Sequence, residues 1–365
     1  MQILSGHIKP VASATVEGRF GAVSDDGRFR DFSNTSVYNP VVYLPSLLSG
    51  RNYFAACILT LICSVTITSV AILLSREMSA LIAVSALLPT VFLSYLYPSA
   101  DSLTTAFAFL FFAVIWYVRG KDGVSFLDVT ALAMSALVLG CAKPTTLALL
   151  VLLPLAISSN RRLVTEWLKL LPAVVCALVP AVAWEGVVSS VAPGVKSLEE
   201  MADTRNTLLA NPSSMLLTLW KTLINPLDNS VEPHENIARN IQLLNGSEFT
   251  VLPMSTMVPI LLVFVLVAVR TIQKLDIDGI DRTFAILTCA AVYVLTTLAM
   301  IMTWKGQPGG YAEGMQSRYF TILMPIVPLV FPPVVKITAD GKRFFRLCIV
   351  LVLITYVGMF FAHVA

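Results

Sequence analysis

Charge is what this chain lacks most. Only 13% of its 365 residues are charged, about half the share of a soluble domain, while 56% are hydrophobic and the mean hydropathy is +0.79. That balance excludes a soluble globular fold and describes a multi-spanning membrane protein. A net charge of only +3, with no dense basic run, excludes nucleic acid as a partner. Histidine is nearly missing too: His7, His234 and His363 are far apart and form no ligand-spaced set, so no bound zinc is expected. The six cysteines (Cys57, Cys63, Cys141, Cys176, Cys289, Cys348) all fall in apolar stretches and read as small hydrophobes, not disulfides or metal ligands. There is no internal repeat, and residues 1–54 carry no signal-peptide pattern.

What is present is a series of apolar runs: 55–75, 79–97, 102–118, 126–142, 145–158, 168–189, 254–272, 283–304, 319–335 and 345–364. They predict an all-α membrane protein, a polytopic helical bundle of about ten spans. Several are shorter than the roughly 20 residues of a straight crossing, so some are tilted, paired or partly inserted. Four regions follow: an outer polar segment 1–54, an N-terminal bundle 55–189, an outer segment 190–253 with short interfacial helices, and a C-terminal bundle 254–365.

Lys and Arg set the orientation. Arg76, Arg119, Lys121, Arg161, Arg162, Lys169, Arg270, Lys274, Arg282, Lys336, Lys342, Arg343 and Arg346 all lie in short turns, over half of the 25 basic residues. Those turns are read as cytoplasmic, which leaves 1–54, 97–101, 141–144, 190–253 and 305–318 facing outward. An outward start has nothing upstream to carry it across the membrane, so the expectation is a first helix missing upstream of Met1, the alternative being atypical insertion.

In the long outer segment, Asn211-Pro212 is a helix-start signal, and Met215, Leu216, Leu219, Trp220 and Leu223 then share one side. Such a helix either lies in the membrane interface or packs on the outer ends of the bundle. Residues 306–320, GQPGGYAEGMQSRYF, carry Gly306, Gly309, Gly310 and Gly314 with Pro308, and form a loop of unusual backbone freedom. The loop ends on Arg318, where a helix re-enters lipid. A guanidinium there suits a phosphate contact, or simply anchors a helix end at the headgroups.

The remaining exceptional charges also collect at outer ends: Asp101, Lys143 and Glu185. Each has a structural alternative: Asp101 as a helix cap, Lys143 as a snorkelling side chain, Glu185 as an interface residue. In the polar start, Asp25-Asp26-Gly27 is a turn signal. The two prolines and two tyrosines of Tyr38-Asn39-Pro40-Val41-Val42-Tyr43-Leu44-Pro45 favour an extended approach to the membrane over a helix.

Four stretches carry a resemblance: YNPVVYLP at 38–45, YPSADSL at 97–103, Lys143-Pro144, and GMQSRYFTILMP at 314–325. Together they resemble a bacterial family of predicted membrane proteins of unknown function that is grouped with the GT-C glycosyltransferases. The resemblance implies a GT-C-like enzyme of the bacterial cytoplasmic (inner) membrane, active at the outer face in cell-envelope glycan assembly. Its partners would be a polyprenyl-phosphate-linked sugar donor, a glycan, lipid or protein acceptor, and membrane lipids. Arg318 and Lys143 would bind the carrier phosphate, and Tyr43, Tyr97, Gln316 and Tyr319 would line the substrate cleft. A carboxylate, Asp101 or Asp25 or Asp26 of the first outer segment, would act as the base. A divalent cation is compatible with that chemistry, but no ligand pair demands one, and no other cofactor is called for. The chain departs from the family pattern at its start, where the first helix and the acidic motif after it are not seen. Two other readings stand beside the enzyme: a transporter or flippase of lipid-linked glycans, which needs polar groups near the midplane, and a non-catalytic subunit of a polysaccharide system.

Overall fold

The computed structural model describes residues 14–16, 19–23, 29–31, 33–50, 52–121, 123–157, 164–224, 254–333, 337 and 340–364. Asp25, Asp26, Arg161, Arg162 and Lys336 lie outside the described residues. The chain is a helical membrane protein, and its polar start adds a small sheet that the sequence reading did not include. Three short strands, β1 (Ala14–Val16), β2 (Arg19–Val23) and β3 (Phe29–Asp31), form an antiparallel sheet in the order β1-β2-β3, with Thr15 opposite Phe20 and Ala22 opposite Arg30. Strands of three to five residues are too short to show an alternating pattern.

The main helices are α1 (Tyr53–Leu74), α2 (Ser79–Ala86), α3 (Pro89–Tyr95), α4 (Ala100–Arg119), α5 (Phe126–Gly140), α6 (Leu171–Val188), α7 (Leu198–Ala210), α8 (Pro212–Ile224), α9 (Met254–Ile272), α10 (Gly279–Thr303) and α11 (Gly341–Val364). Among the described residues, five helical stretches are long and apolar enough to cross a membrane: Tyr53–Leu74, Ala100–Arg119, Glu166–Val188, Gly279–Thr303 and Gly341–Phe361. A sixth is possible if Arg76–Ala86 and Pro89–Tyr95, bent by 79°, count as one broken span. The expectation of about ten spans is corrected to that extent. Proline is the reason for much of the difference, because it removes a donor and blocks the helix behind it. Pro89 breaks the run 79–97, and Pro144 and Pro154 accompany a 3-10 helix at Pro144–Ala156. The run 319–335 is not one helix either: it holds 3-10 turns at Ser317–Leu323 and Val327–Val330, the second opening at Pro328. YNPVVYLP is likewise not extended. Asn39 Oδ1 accepts from Val41 N–H (3.1 Å) and caps a 3-10 turn at Pro40–Tyr43, followed by a helical turn at Leu44–Leu47.

Helix α4 is the axis of the bundle, with 83% of its span buried against 11% for the α6 and α11 spans, which present their apolar sides outward to lipid. Small residues let the helices approach closely. A Cβ on Gly140 of α5 would sit 2.1 Å from the Ala177 carbonyl of α6, so only glycine fits at that crossing. All six cysteines are free; Cys348 is buried and the other five are partly exposed.

The basic turns gather at one end. Arg119, the last residue of α4, donates to Leu155 O (3.0 Å), Asp276 O (2.8 Å) and both carboxylate oxygens of Asp281 (3.2 and 2.7 Å). One guanidinium thus ties α4, the end of the 3-10 helix and the start of α10 together. Asp281 also closes a capping box with Asp278 at the first turn of α10. Arg282 donates to Phe331 O, and Lys121 pairs with Asp128 in the capping box of α5. With a rise of 1.5 Å per residue, Asp101 stands about 27 Å along α4 from Arg119, roughly one hydrocarbon thickness away. The two charge clusters therefore mark opposite ends of the bundle.

Candidate functional site

At the end opposite Arg119, three separate elements bring their first charged residue to one point. Asp101 lies in the first turn of α4, whose start is fixed by Ser102 Oγ donating to Ser94 O (2.7 Å) and Tyr97 O (2.8 Å). Lys143 is the N-cap of the 3-10 helix, held by Thr146, whose Oγ1 donates to Lys143 O (2.7 Å). Arg318 opens the 3-10 turn that follows the glycine-rich loop. Lys143 Nζ donates to Asp101 Oδ1 at 2.5 Å, and Arg318 Nε lies 3.1 Å from Asp101 Oδ2 as an ion pair without hydrogen-bond alignment. Both carboxylate oxygens are thus occupied by cations, and the trio carries one net positive charge. Burial works against the Lys143 ammonium, but Asp101 beside it outweighs that cost and holds its pKa above the ordinary lysine range.

Aromatic rings complete the cluster. Lys143 Nζ sits 5.0 Å from the Tyr38 ring centroid and 5.1 Å from that of Tyr319, and the Arg318 guanidinium is 5.6 Å from the Tyr319 ring. Quadrupoles at these distances stabilise the cations. Lys143, Tyr38 and Tyr319 also line a cavity of about 510 Å³ between the 37–38 turn, the start of the 3-10 helix, α6, α7 and the last turns of α10. Its walls are largely apolar, including Leu147, Val182, Val188 and Met300, with Lys143, Tyr38, Tyr319 and Glu185 as polar groups. A mostly apolar slot with one cation at its head fits an anionic amphiphile.

The loop that delivers Arg318 is built as its glycines require. Gly306, Gly309 and Gly314 have φ of 98°, 85° and 77°, in the left-handed region. A Cβ on Gly314 would lie 2.6 Å from Trp304 Cδ1. Lys196 Nζ locks the other end, donating to Ile301 O (2.8 Å), Gly306 O (3.0 Å) and Thr204 Oγ1 (3.0 Å), so it caps α10 and pins the loop at once. Gly194 must be glycine for this approach, since its Cβ would meet Thr303 O at 1.9 Å.

Of the residues singled out in the sequence, Asp101, Lys143, Arg318 and Tyr319 come together. Tyr43 packs beside them on the small cluster around Val42, Ala100 and Leu103, where burial pushes its phenol pKa up, but it is not on the cavity wall. Tyr97 is 46% exposed and also off the wall. Gln316 caps the 3-10 turn before Arg318; its Oε1 is buried without a hydrogen-bond partner, and it too is off the wall. Among the described residues no three His, Cys, Asp or Glu side chains come together as a metal-holding group. Sequence reasoning missed Tyr38, although its own motif pointed at Tyr43, and missed Lys196, whose position just before the Ser197 capping box was the available signal.

Fold and site together define a helical membrane protein with a cation-headed apolar cavity at one end. The family described as Predicted membrane protein (DUF2142) matches residues 18–330, and the chain belongs to it. No curated protein and no solved structure matches the chain.

Proposed function

We propose that this protein is a GT-C-like glycosyltransferase of a bacterial cytoplasmic membrane, taking a sugar from a polyprenyl-phosphate carrier at the outer face. The observation that carries the reading is the Lys143 ammonium at the head of the apolar cavity. A carrier phosphate would meet Lys143, with Arg318 behind it, and the first prenyl units would fill the apolar slot. The cavity is too small for a whole polyprenyl chain, so the rest would leave between helices into lipid. Breaking the glycosidic bond puts further negative charge on the phosphate, and cations fixed in advance by Asp101, Tyr38 and Tyr319 stabilise that charge without reorganising. Asp101 holds the two cations in place until the phosphate takes them over.

The outward orientation is supported by the grouping of the basic turns around Arg119 and of the cavity at the other end. Membranes containing the full chain should transfer radiolabelled sugar from a polyprenyl-phosphate donor, and Arg318→Ala should lower the rate. Wild-type membranes that bind the donor but never turn it over would refute the enzyme and leave a binding subunit.

A further inference from the structure

In the transfer reaction the acceptor hydroxyl must lose a proton as its oxygen attacks the sugar. Asp101 is badly placed to take it. Lys143 and Arg318 occupy both its carboxylate oxygens, and it is not on the cavity wall. A carboxylate neutralised by two cations is a weak base. Asp25 and Asp26 lie outside the described residues. Among the described residues that line the cavity, Glu185 is the sole carboxylate, and it has no ion-pair partner. It also stands on a different wall from Lys143: Glu185 comes from the last turn of α6, Lys143 from the start of the 3-10 helix. Trp184, its neighbour, fixes this turn by donating from Nε1 to Val37 O (2.8 Å), one residue from Tyr38.

We infer that Glu185 is the catalytic base, receiving the acceptor proton at the mouth of the cavity while Lys143 holds the departing phosphate at its head. The inference rests on the transfer reading above. The acceptor oxygen forms a bond to the anomeric carbon, the bond from that carbon to the carrier phosphate breaks, and its electron pair leaves with the phosphate. The acceptor proton passes to Glu185 Oε and from there to water. A base and a phosphate site on separate walls let donor and acceptor approach from two directions, which one ion-paired cluster at the cavity head does not.

The test compares wild-type, Glu185→Gln, Glu185→Asp and Asp101→Asn proteins in membranes, reading sugar transfer across pH and, separately, the binding of geranylgeranyl phosphate. Glu185→Gln should lower kcat by about 10²- to 10⁴-fold and abolish the acid limb of the pH profile. Geranylgeranyl phosphate should still bind within about twofold, because the phosphate site is untouched. Glu185→Asp should recover part of the rate. Transfer by Glu185→Gln within a few-fold of wild type, or an acid limb that vanishes in Asp101→Asn but not in Glu185→Gln, would overturn the assignment while leaving the transferase intact. A wild-type protein that transfers no sugar would instead remove the transferase and this base with it.

Discussion

Replacing Lys143 by alanine gives the sharpest test of the cavity head. Lys143 is the one cation on the described cavity wall, and it is already desolvated, ringed by Tyr38 and Tyr319 and aligned by Asp101. A hydrogen bond to a charged group contributes about 1.5–3 kcal/mol. Its loss should therefore weaken the binding of geranylgeranyl phosphate by roughly 10- to 150-fold. In the variant Asp101 is left to Arg318 alone, which holds that cation more firmly and pushes in the same direction. Asp101→Asn should do the opposite. It frees two neighbouring cations that now repel each other, so an added phosphate binds more tightly and raises the thermal midpoint by more than it does in wild type. The assay is equilibrium binding of tritiated geranylgeranyl phosphate to purified protein in detergent, with size-exclusion profiles to confirm folding. The pH dependence follows from the same contacts. A lysine whose pKa is raised on folding keeps its contribution below the unfolded value and loses it only as pH passes the folded one. Binding should therefore be flat between about pH 7 and about pH 9, below the ordinary lysine range. Equal affinities for wild type and Lys143→Ala, or weaker binding by Asp101→Asn, would refute the proposed role of the cluster.

Two other perturbations probe the scaffold. Arg119→Ala leaves Asp281, whose side chain is only 2% exposed, buried without the guanidinium that neutralises it, and should cost about 3–5 kcal/mol, seen as a lower midpoint of thermal unfolding in detergent; an unchanged midpoint would deny that this knot holds α4 to α10. Gly314→Ala places a side chain at φ of 77° and against Trp304, and the left-handed backbone alone costs roughly 1–2 kcal/mol. It should weaken geranylgeranyl phosphate binding with helical content intact, whereas Gly279→Ala, with nothing within 4 Å of the new carbon, should bind as wild type.

Composition made the membrane class legible, because 13% charge leaves no polar shell for a soluble core. The long uninterrupted helices were legible as well: the run 55–75 became Tyr53–Leu74, and Asn211-Pro212 opened a helix at Pro212–Ile224. Runs holding proline were legible only in part: 168–189 and 254–272 stay helical across Pro180 and Pro259, whereas 79–97, 145–158 and 319–335 do not form one α-helix. Hydropathy reports which residues avoid water but not whether the backbone is α or 3-10, so 145–158 and 319–335 were counted among the spans. Pro89, Pro154 and Pro328 were the signals that a stricter reading would have weighed. At the site, the individual charges were legible because charge is rare at such depths. Their pairing was not: Lys143 and Arg318 are far from Asp101 in sequence, and only the bundle brings all three helix starts to one end. Glu185 was visible as a charge after Trp184, yet nothing in one dimension placed it on the same cavity as Lys143.

Helix α8 has two unlike faces. Its buried face carries Thr218 and Thr222, whose hydroxyls accept from Gly309 N–H (2.8 Å) and Ala312 N–H (2.9 Å), while Lys221 Nζ donates to Gly309 O (2.7 Å). Leu216, Trp220 and Leu223 are left exposed on the other side. An apolar exposed face suits a membrane surface, while the threonine face packs on the glycine-rich loop. These three bonds grip the glycine-rich loop only a few residues before Arg318. The loop is held by Lys196 at its start and by α8 in its middle, so the position of Arg318 depends on contacts well outside the charge cluster. A guanidinium on a free glycine loop would lose much of its attraction for an anion to the entropy of being ordered. Here that ordering is already done by hydrogen bonds between the loop backbone and the side chains of Lys196, Thr218, Lys221 and Thr222. This is the physical reason a loop so rich in glycine can still present a fixed charge.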